Sequence, residues 1–264
     1  MPGTEKQIVW AGQKGQQSDY AVIFLHGFSA SRQEIAPLPQ TLATALNANL
    51  YQTRFRGHGR GGPAMLDGSV NHWLNDAREA LEIGKRLGKK VIVLALSTGG
   101  SSATWLAAQN DPALAACVLF SPNYGLANKM GGMLAWPWGG KLAEWVMGKD
   151  REWIPLNPAQ ASYWTWKYPV RALLPMMGVV KVVQGLSLEE INTPIMVIYS
   201  PADKVVNARL IERNFERLGS QQKKIWAFTG SPDAAQHVIA GDIVSPGTTE
   251  KLMPEILAFI EGLN

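Results

Sequence analysis

Seven short apolar runs recur along the chain: Gln7–Ala11, Tyr20–His26, Leu50–Phe55, Val91–Leu96, Cys117–Ser121, Ile195–Ser200 and Ile225–Phe228. Several are apolar almost without interruption, VIVLAL at 91–96 most clearly. Continuous short runs bounded by turn residues predict strands buried on both faces of a parallel sheet. Helical periodicity lies between them. Ser31–Asn47 carries Ile35, Leu38, Leu42 and Leu46, and Val70–Leu87 carries Trp73, Leu74, Ala77, Leu81 and Ile83. Ser101–Gln109, Asn207–Leu218 and Thr249–Leu263 are also read as helices. Strand–helix alternation at this rhythm predicts an α/β fold: a mostly parallel sheet of about seven strands, flanked by helices and joined by right-handed crossovers.

The rhythm breaks between Ser121 and Pro194. A structureless loop of that length is improbable inside a compact domain. The expectation is a core domain of residues 1–122 and 182–264, with residues 123–181 forming an inserted helical cap. The segment holds Trp136, Trp138, Trp145, Trp153, Trp164 and Trp166, and also Met130, Met133, Met147, Met176 and Met177. Such side chains suit either the cap's own small core or an apolar substrate site, for which Trp136, Trp138, Met130 and Met133 are the candidates. Residues 130–145 are also glycine-rich and apolar enough for a lid that touches lipid.

Bulk properties narrow the class. The chain has 264 residues, 46% hydrophobic and 17% charged, with a net charge of +4. This is a globular composition. The densest basic cluster, Arg54, Arg56, His58 and Arg60, is too short for a nucleic-acid arm and reads as a solvated loop. The single cysteine, Cys117, opens an apolar run and reads as buried packing. The opening MPGTEKQIVW lacks the apolar stretch of a signal peptide, and no 18-residue apolar window exists. The expected location is cytoplasmic, unless an N-terminal signal or anchor precedes this sequence.

The chemistry concentrates at LALSTGGSS, residues 94–102. A phosphate cradle fails on spacing, because no lysine follows Gly99 or Gly100 and G-x-G-x-x-G is absent. What remains is a small-residue turn, or a turn that exposes one reactive hydroxyl. Ser97 directly follows a strand and precedes a helix, where a nucleophile needs small neighbours; Ala95 and Gly99 are small. Serine needs a base, and the base needs an orienting acid. His237, in SPDAAQHVI, follows the run ending at Phe228, and Asp203, in YSPADKVV, follows the run ending at Ser200. Both fall at the carboxyl edge of a parallel sheet, which also carries Ser97. Asp233 and Asp242 are rival acids. His26 reads as a structural hydrogen-bonding residue, His58 as a loop shaper and His72 as a near-surface helix residue. No histidine shows metal-ligand spacing.

LHGF at 25–28, RGHG at 56–59, ALSTG at 95–99, and the SPAD and QHV segments together resemble an α/β-hydrolase, close to the carboxylesterase and monoacylglycerol lipase branch. Ala95 stands where that pattern usually has glycine. The resemblance implies Ser97 as nucleophile, His237 as general base and Asp203 as orienting carboxylate. It further implies the backbone N–H groups of Phe28 and Thr98 as an oxyanion hole. The implied activity is hydrolysis of apolar carboxylic esters through an acyl-enzyme, with no metal or organic cofactor and no nucleic-acid partner. A thioester, amide or carbon–carbon hydrolase with the same triad, and a non-catalytic receptor using the capped pocket, are the alternatives.

Overall fold

A computed structural model of the chain describes residues 1–128, 144–145 and 148–263. Its central sheet is built from β1 (Gln7–Val9), β2 (Ser18–Leu25), β3 (Asn49–Gln52), β4 (Gly88–Leu96), β5 (Leu114–Phe120), β8 (Ile195–Tyr199) and β9 (Lys223–Ala227). The strand order is β1-β3-β2-β4-β5-β8-β9. Every pairing is parallel except β1 with β3, so the sheet is mostly parallel with one antiparallel edge strand.

The near-continuous apolar runs divide cleanly between two layers. In β4, Val91, Val93 and Ala95 face a core shared with Trp73, Leu81 and Leu106, while Ile92, Leu94 and Leu96 face Leu42, Phe24 and Ile256. This is the period of two expected of a strand, with both faces covered by helices. On the first face lie α2 (Val70–Leu87), α3 (Thr98–Ala107) and α5 (Leu173–Gln184). On the second lie α1 (Leu38–Ala45) and α6 (Thr249–Glu261). Each fully buried Val, Leu or Ile contributes roughly 1.5–3 kcal/mol of transfer free energy, so the sheet is the part of the molecule least able to shift.

Several expected boundaries move. The helix expected over Ser31–Asn47 is confined to Leu38–Ala45, and Ser31–Pro37 forms turns. Pro37 lacks the N–H that an interior helical position must donate, and a residue before proline is disfavoured in helix geometry. Ile35 is nonetheless fully buried, which is why the apolar spacing imitates a longer helix. The helix expected from Ser101 begins three residues earlier, at Thr98, and ends at Ala107. Strand β5 begins at Leu114 rather than Cys117, and β9 is shifted to Lys223–Ala227. The basic loop is only partly solvated. Arg56 and Arg60 are exposed, but His58 is buried, its ring 5.2 Å from that of Trp73 and 5.0 Å from that of His26. Cys117 is buried among apolar neighbours, and burial pushes its thiol up to about 12.

The segment read as a helical cap contains, among the described residues, more than helix. Asp150–Glu152 (β6) and Lys167–Pro169 (β7) form an antiparallel pair, and α4 (Pro158–Tyr163) lies between them. The Asn157 side chain caps α4 by accepting from Gln160 N at 2.8 Å. Thr165 N donates to Ser29 O at 2.7 Å, which ties this segment to the loop after β2. The candidate substrate residues Met130, Met133, Trp136 and Trp138 lie outside the described residues. No helix among those described is long and apolar enough to cross a membrane.

The turn from β4 into α3 is a tight junction. A Cβ placed on Gly99 would lie 2.1 Å from Leu25 O and 2.7 Å from His26 O. Helix α3 therefore approaches β2 at a distance that only glycine permits. Gly99→Ala is expected to lose about 1–3 kcal/mol or more through overpacking, read as a lower urea midpoint. Gly12→Ala, where an added Cβ meets nothing within 4 Å, is expected to stay within about 0.5 kcal/mol of the parent.

Candidate active site

Ser97 sits between the end of β4 and the first residue of α3, with φ 53° and ψ −115°. A positive φ is uncommon for a residue with a side chain and costs of order 1–3 kcal/mol. The surroundings hold it there. Ser97 N donates to Phe120 O at 3.0 Å, and Ser97 O accepts from Ser101 N at 3.1 Å and Asn123 N at 3.0 Å. The backbone is thus fixed by β5, by the first turn of α3 and by the loop after β5. The hydroxyl is left at the sheet edge.

The two other residues singled out from the sequence meet Ser97 there. His237 Nε2 lies 3.0 Å from Ser97 Oγ, and His237 Nδ1 lies 2.8 Å from Asp203 Oδ2. Asp203 Oδ1 accepts from Val205 N at 2.8 Å and Val206 N at 2.9 Å. One carboxylate oxygen is therefore anchored to backbone and the other is aimed at the imidazole. With Nδ1–H donating to Asp203, Nε2 carries the lone pair that can accept the serine proton. Burial pushes the His237 pKa down, but the charge of Asp203 and its hydrogen bond outweigh this, so the net shift is upward.

Asp233, the rival acid, does other work. Its Oδ2 accepts from His237 N at 2.9 Å and Val238 N at 3.0 Å, and its Oδ1 accepts from Ala235 N at 2.9 Å. It braces the loop that carries the histidine rather than the ring. Lys204 N donates to Ala235 O at 2.9 Å and Lys204 Nζ to Ala234 O at 2.8 Å, so the loop bearing Asp203 is laced to the loop bearing His237. Asp242 donates its backbone N–H to Ala36 O.

The two residues expected to form an oxyanion hole, Phe28 and Thr98, lie on the loop after β2 and at the start of α3. As the first residue of α3, Thr98 has an N–H that its own helix cannot pair. Phe28 follows His26 and Gly27 on the loop after β2. His26 Nδ1 donates to Gly27 O at 2.8 Å, and Nε2 accepts from Phe55 N at 3.1 Å. Burial holds this ring neutral, with its pKa near 4. His58 is likewise pushed well below its ordinary value, by burial first and by His26 second. His72 is half-buried on α2 and faces Asp67 O at 3.0 Å. Among the described residues, no three His, Cys, Asp or Glu side chains converge as metal ligands.

Sequence reasoning missed one buried carboxyl. Glu34 is 2% exposed and accepts the Gly27 N–H through Oε2. Reading Ser31–Asn47 as one amphipathic helix hid it on the expected polar face.

Comparison with known proteins agrees with this fold. The family model described as serine aminopeptidase, S33, matches residues 16–231. Three solved structures are similar over nearly their whole length. One comes from work on LipS and LipT, two metagenome-derived lipolytic enzymes (TM-score 0.80, 21% identity, 99% of this chain and 98% of that one). Another is a monoacylglycerol lipase from Paleococcus ferrophilus (TM-score 0.71, 17% identity, 98% of each chain). The third is a soluble variant of monoglyceride lipase from Saccharomyces cerevisiae (TM-score 0.66, 15% identity, 96% of this chain and 91% of that one). At these identities they establish the shared fold. No curated protein sequence matches significantly. The family match spans most of the chain, and the chain accordingly belongs to the serine aminopeptidase S33 family, as a serine hydrolase of the α/β-hydrolase fold.

Proposed function

We propose that the protein is a carboxylic ester hydrolase of the carboxylesterase or monoacylglycerol lipase type, working through Ser97, His237 and Asp203. The observation that carries this is the hydrogen-bonded line from Asp203 Oδ2 to His237 to Ser97 Oγ, ending at a hydroxyl on a strained turn. In the first step, His237 Nε2 takes the Ser97 proton as Oγ bonds to the substrate carbonyl carbon. The carbonyl oxygen becomes an oxyanion, stabilised by the Phe28 and Thr98 N–H groups, each worth about 3 kcal/mol of barrier. The imidazolium, held by Asp203, then protonates the departing alcohol as the C–O bond breaks. Water gives its proton to the same nitrogen, attacks the acyl-enzyme and releases the acid, returning the proton to Ser97.

The family description favours a second reading, amide cleavage at a peptide N-terminus. That chemistry needs a free carboxylate to hold the substrate ammonium. Among the described residues, Asp203 accepts from Val205, Val206 and the ring, Asp233 accepts from three amides, and Glu34 is 2% exposed, so none of the three presents a free carboxylate to an ammonium. This supports an ester substrate. The apolar residues at 130–138 remain the candidates for an acyl pocket and lid, with contact to lipid as an extension of that role.

Two outcomes are expected. Across p-nitrophenyl esters from C2 to C16, the wild type should peak at one chain length, and Ser97→Ala should lose about 10³-fold or more. Hydrolysis of aminoacyl p-nitroanilides in preference to every ester would reverse the choice of bond. In a pH series, the base must be neutral to act, so kcat/KM should rise with pH along a limb centred above 6.5, the ordinary histidine value. Asp203→Asn removes the charge that raises this midpoint. The limb should therefore move to lower pH while kcat drops by roughly 10³–10⁴-fold.

A further inference from the structure

Glu34 is a buried carboxyl that the proposed reaction does not use. It lies on the turns between β2 and α1, 2% exposed, with its backbone N–H donating to Ser31 O at 3.0 Å. Its carboxyl packs directly against Gly27. A Cβ built on Gly27 would sit 2.7 Å from Oε1 and 3.2 Å from Oε2, so the carboxyl occupies the space a side chain at 27 would need. Oε2 accepts the Gly27 N–H. On the other side of the same residue, His26 Nδ1 donates to Gly27 O. Gly27 is thus gripped at both its N–H and its C=O.

That grip reaches the oxyanion site through covalent geometry. The Gly27 C=O and the Phe28 N–H belong to one planar trans peptide and point in opposite directions. Fixing the carbonyl with His26, and the start of the residue with Glu34, sets where the Phe28 N–H aims.

We propose that Glu34 is a positioning residue for the oxyanion loop: one buried carboxyl holds the Gly27–Phe28 peptide in place. The inference rests on the proposed roles of Ser97, His237 and Phe28. Burial pushes the Glu34 carboxyl up to about 8, against the opposing effects of the Gly27 N–H and of His237.

The test is kcat and KM on the best p-nitrophenyl ester, for wild type, Glu34→Gln, Glu34→Ala and Ser97→Ala. Urea midpoints are measured alongside to confirm folding. Glu34→Gln keeps an acceptor for the Gly27 N–H and should retain kcat within about threefold. Glu34→Ala loses the acceptor, and kcat should fall by roughly 10²-fold with KM within about twofold, as expected for a misplaced donor. A folded Ala variant with wild-type kcat overturns the proposal, and so does a folded Gln variant whose kcat falls by roughly 10²-fold, which decides alone if the Ala variant does not fold. A Ser97→Ala protein as active as wild type overturns the underlying site assignment instead, and is distinguished by that variant.

Discussion

The site depends on how closely α3 can approach β2. Gly99 leaves so little room over Leu25 O and His26 O that the helix must begin the moment β4 ends. With the helix starting at Thr98, Ser97 has no choice but the left-handed turn at φ 53°. The strain is local, and the support is broad. The sheet beneath is buried on both faces, and β4 is bracketed by β2 and β5 in register. Moving the serine would require moving strands whose side chains fill two cores. A strained turn on this rigid a base is pre-organised before any substrate arrives.

Around that turn the molecule keeps a set of polar groups nearly dry. Asp203, Asp233, Glu34, His26 and His237 are each under 10% exposed, so each must find partners within the protein. They do so with a division of labour. Asp203 is bonded to the ring, Asp233 holds the backbone that delivers the ring, and His26 and Glu34 hold Gly27 on the loop after β2. Low water content strengthens each of these interactions, and makes any unpaired member costly. Such a network ties the loop bearing Asp203 to the loop bearing His237.

The sheet was legible because burial on both faces leaves almost unbroken apolar runs, and VIVLAL can hardly be anything but a central strand. Ser97, Asp203 and His237 were legible for a related reason: Ser97 directly follows such a run, and Asp203 and His237 lie on the loops after two others, at the edge where a parallel sheet presents its loops. The structure brings the three into hydrogen-bond contact. What the chain hid was local. Pro37 ends the helical reading of Ser31–Asn47, yet Ile35 is buried in a turn, so apolar spacing alone could not separate helix from packed loop. The same error concealed Glu34, since a glutamate on a surface helix invites no question. Asp233 was visible as a carboxylate near the base, but its bonds are to backbone N–H groups that sequence does not reveal.

The central claim is that Ser97 is the nucleophile activated by His237. Its most direct measurement is fluorophosphonate labelling followed by peptide mass spectrometry. The account predicts one adduct, on the peptide containing Ser97, that is abolished in Ser97→Ala and slowed by at least about 10³-fold in His237→Ala. An adduct on another residue, or no adduct on wild-type protein that is folded, would contradict it.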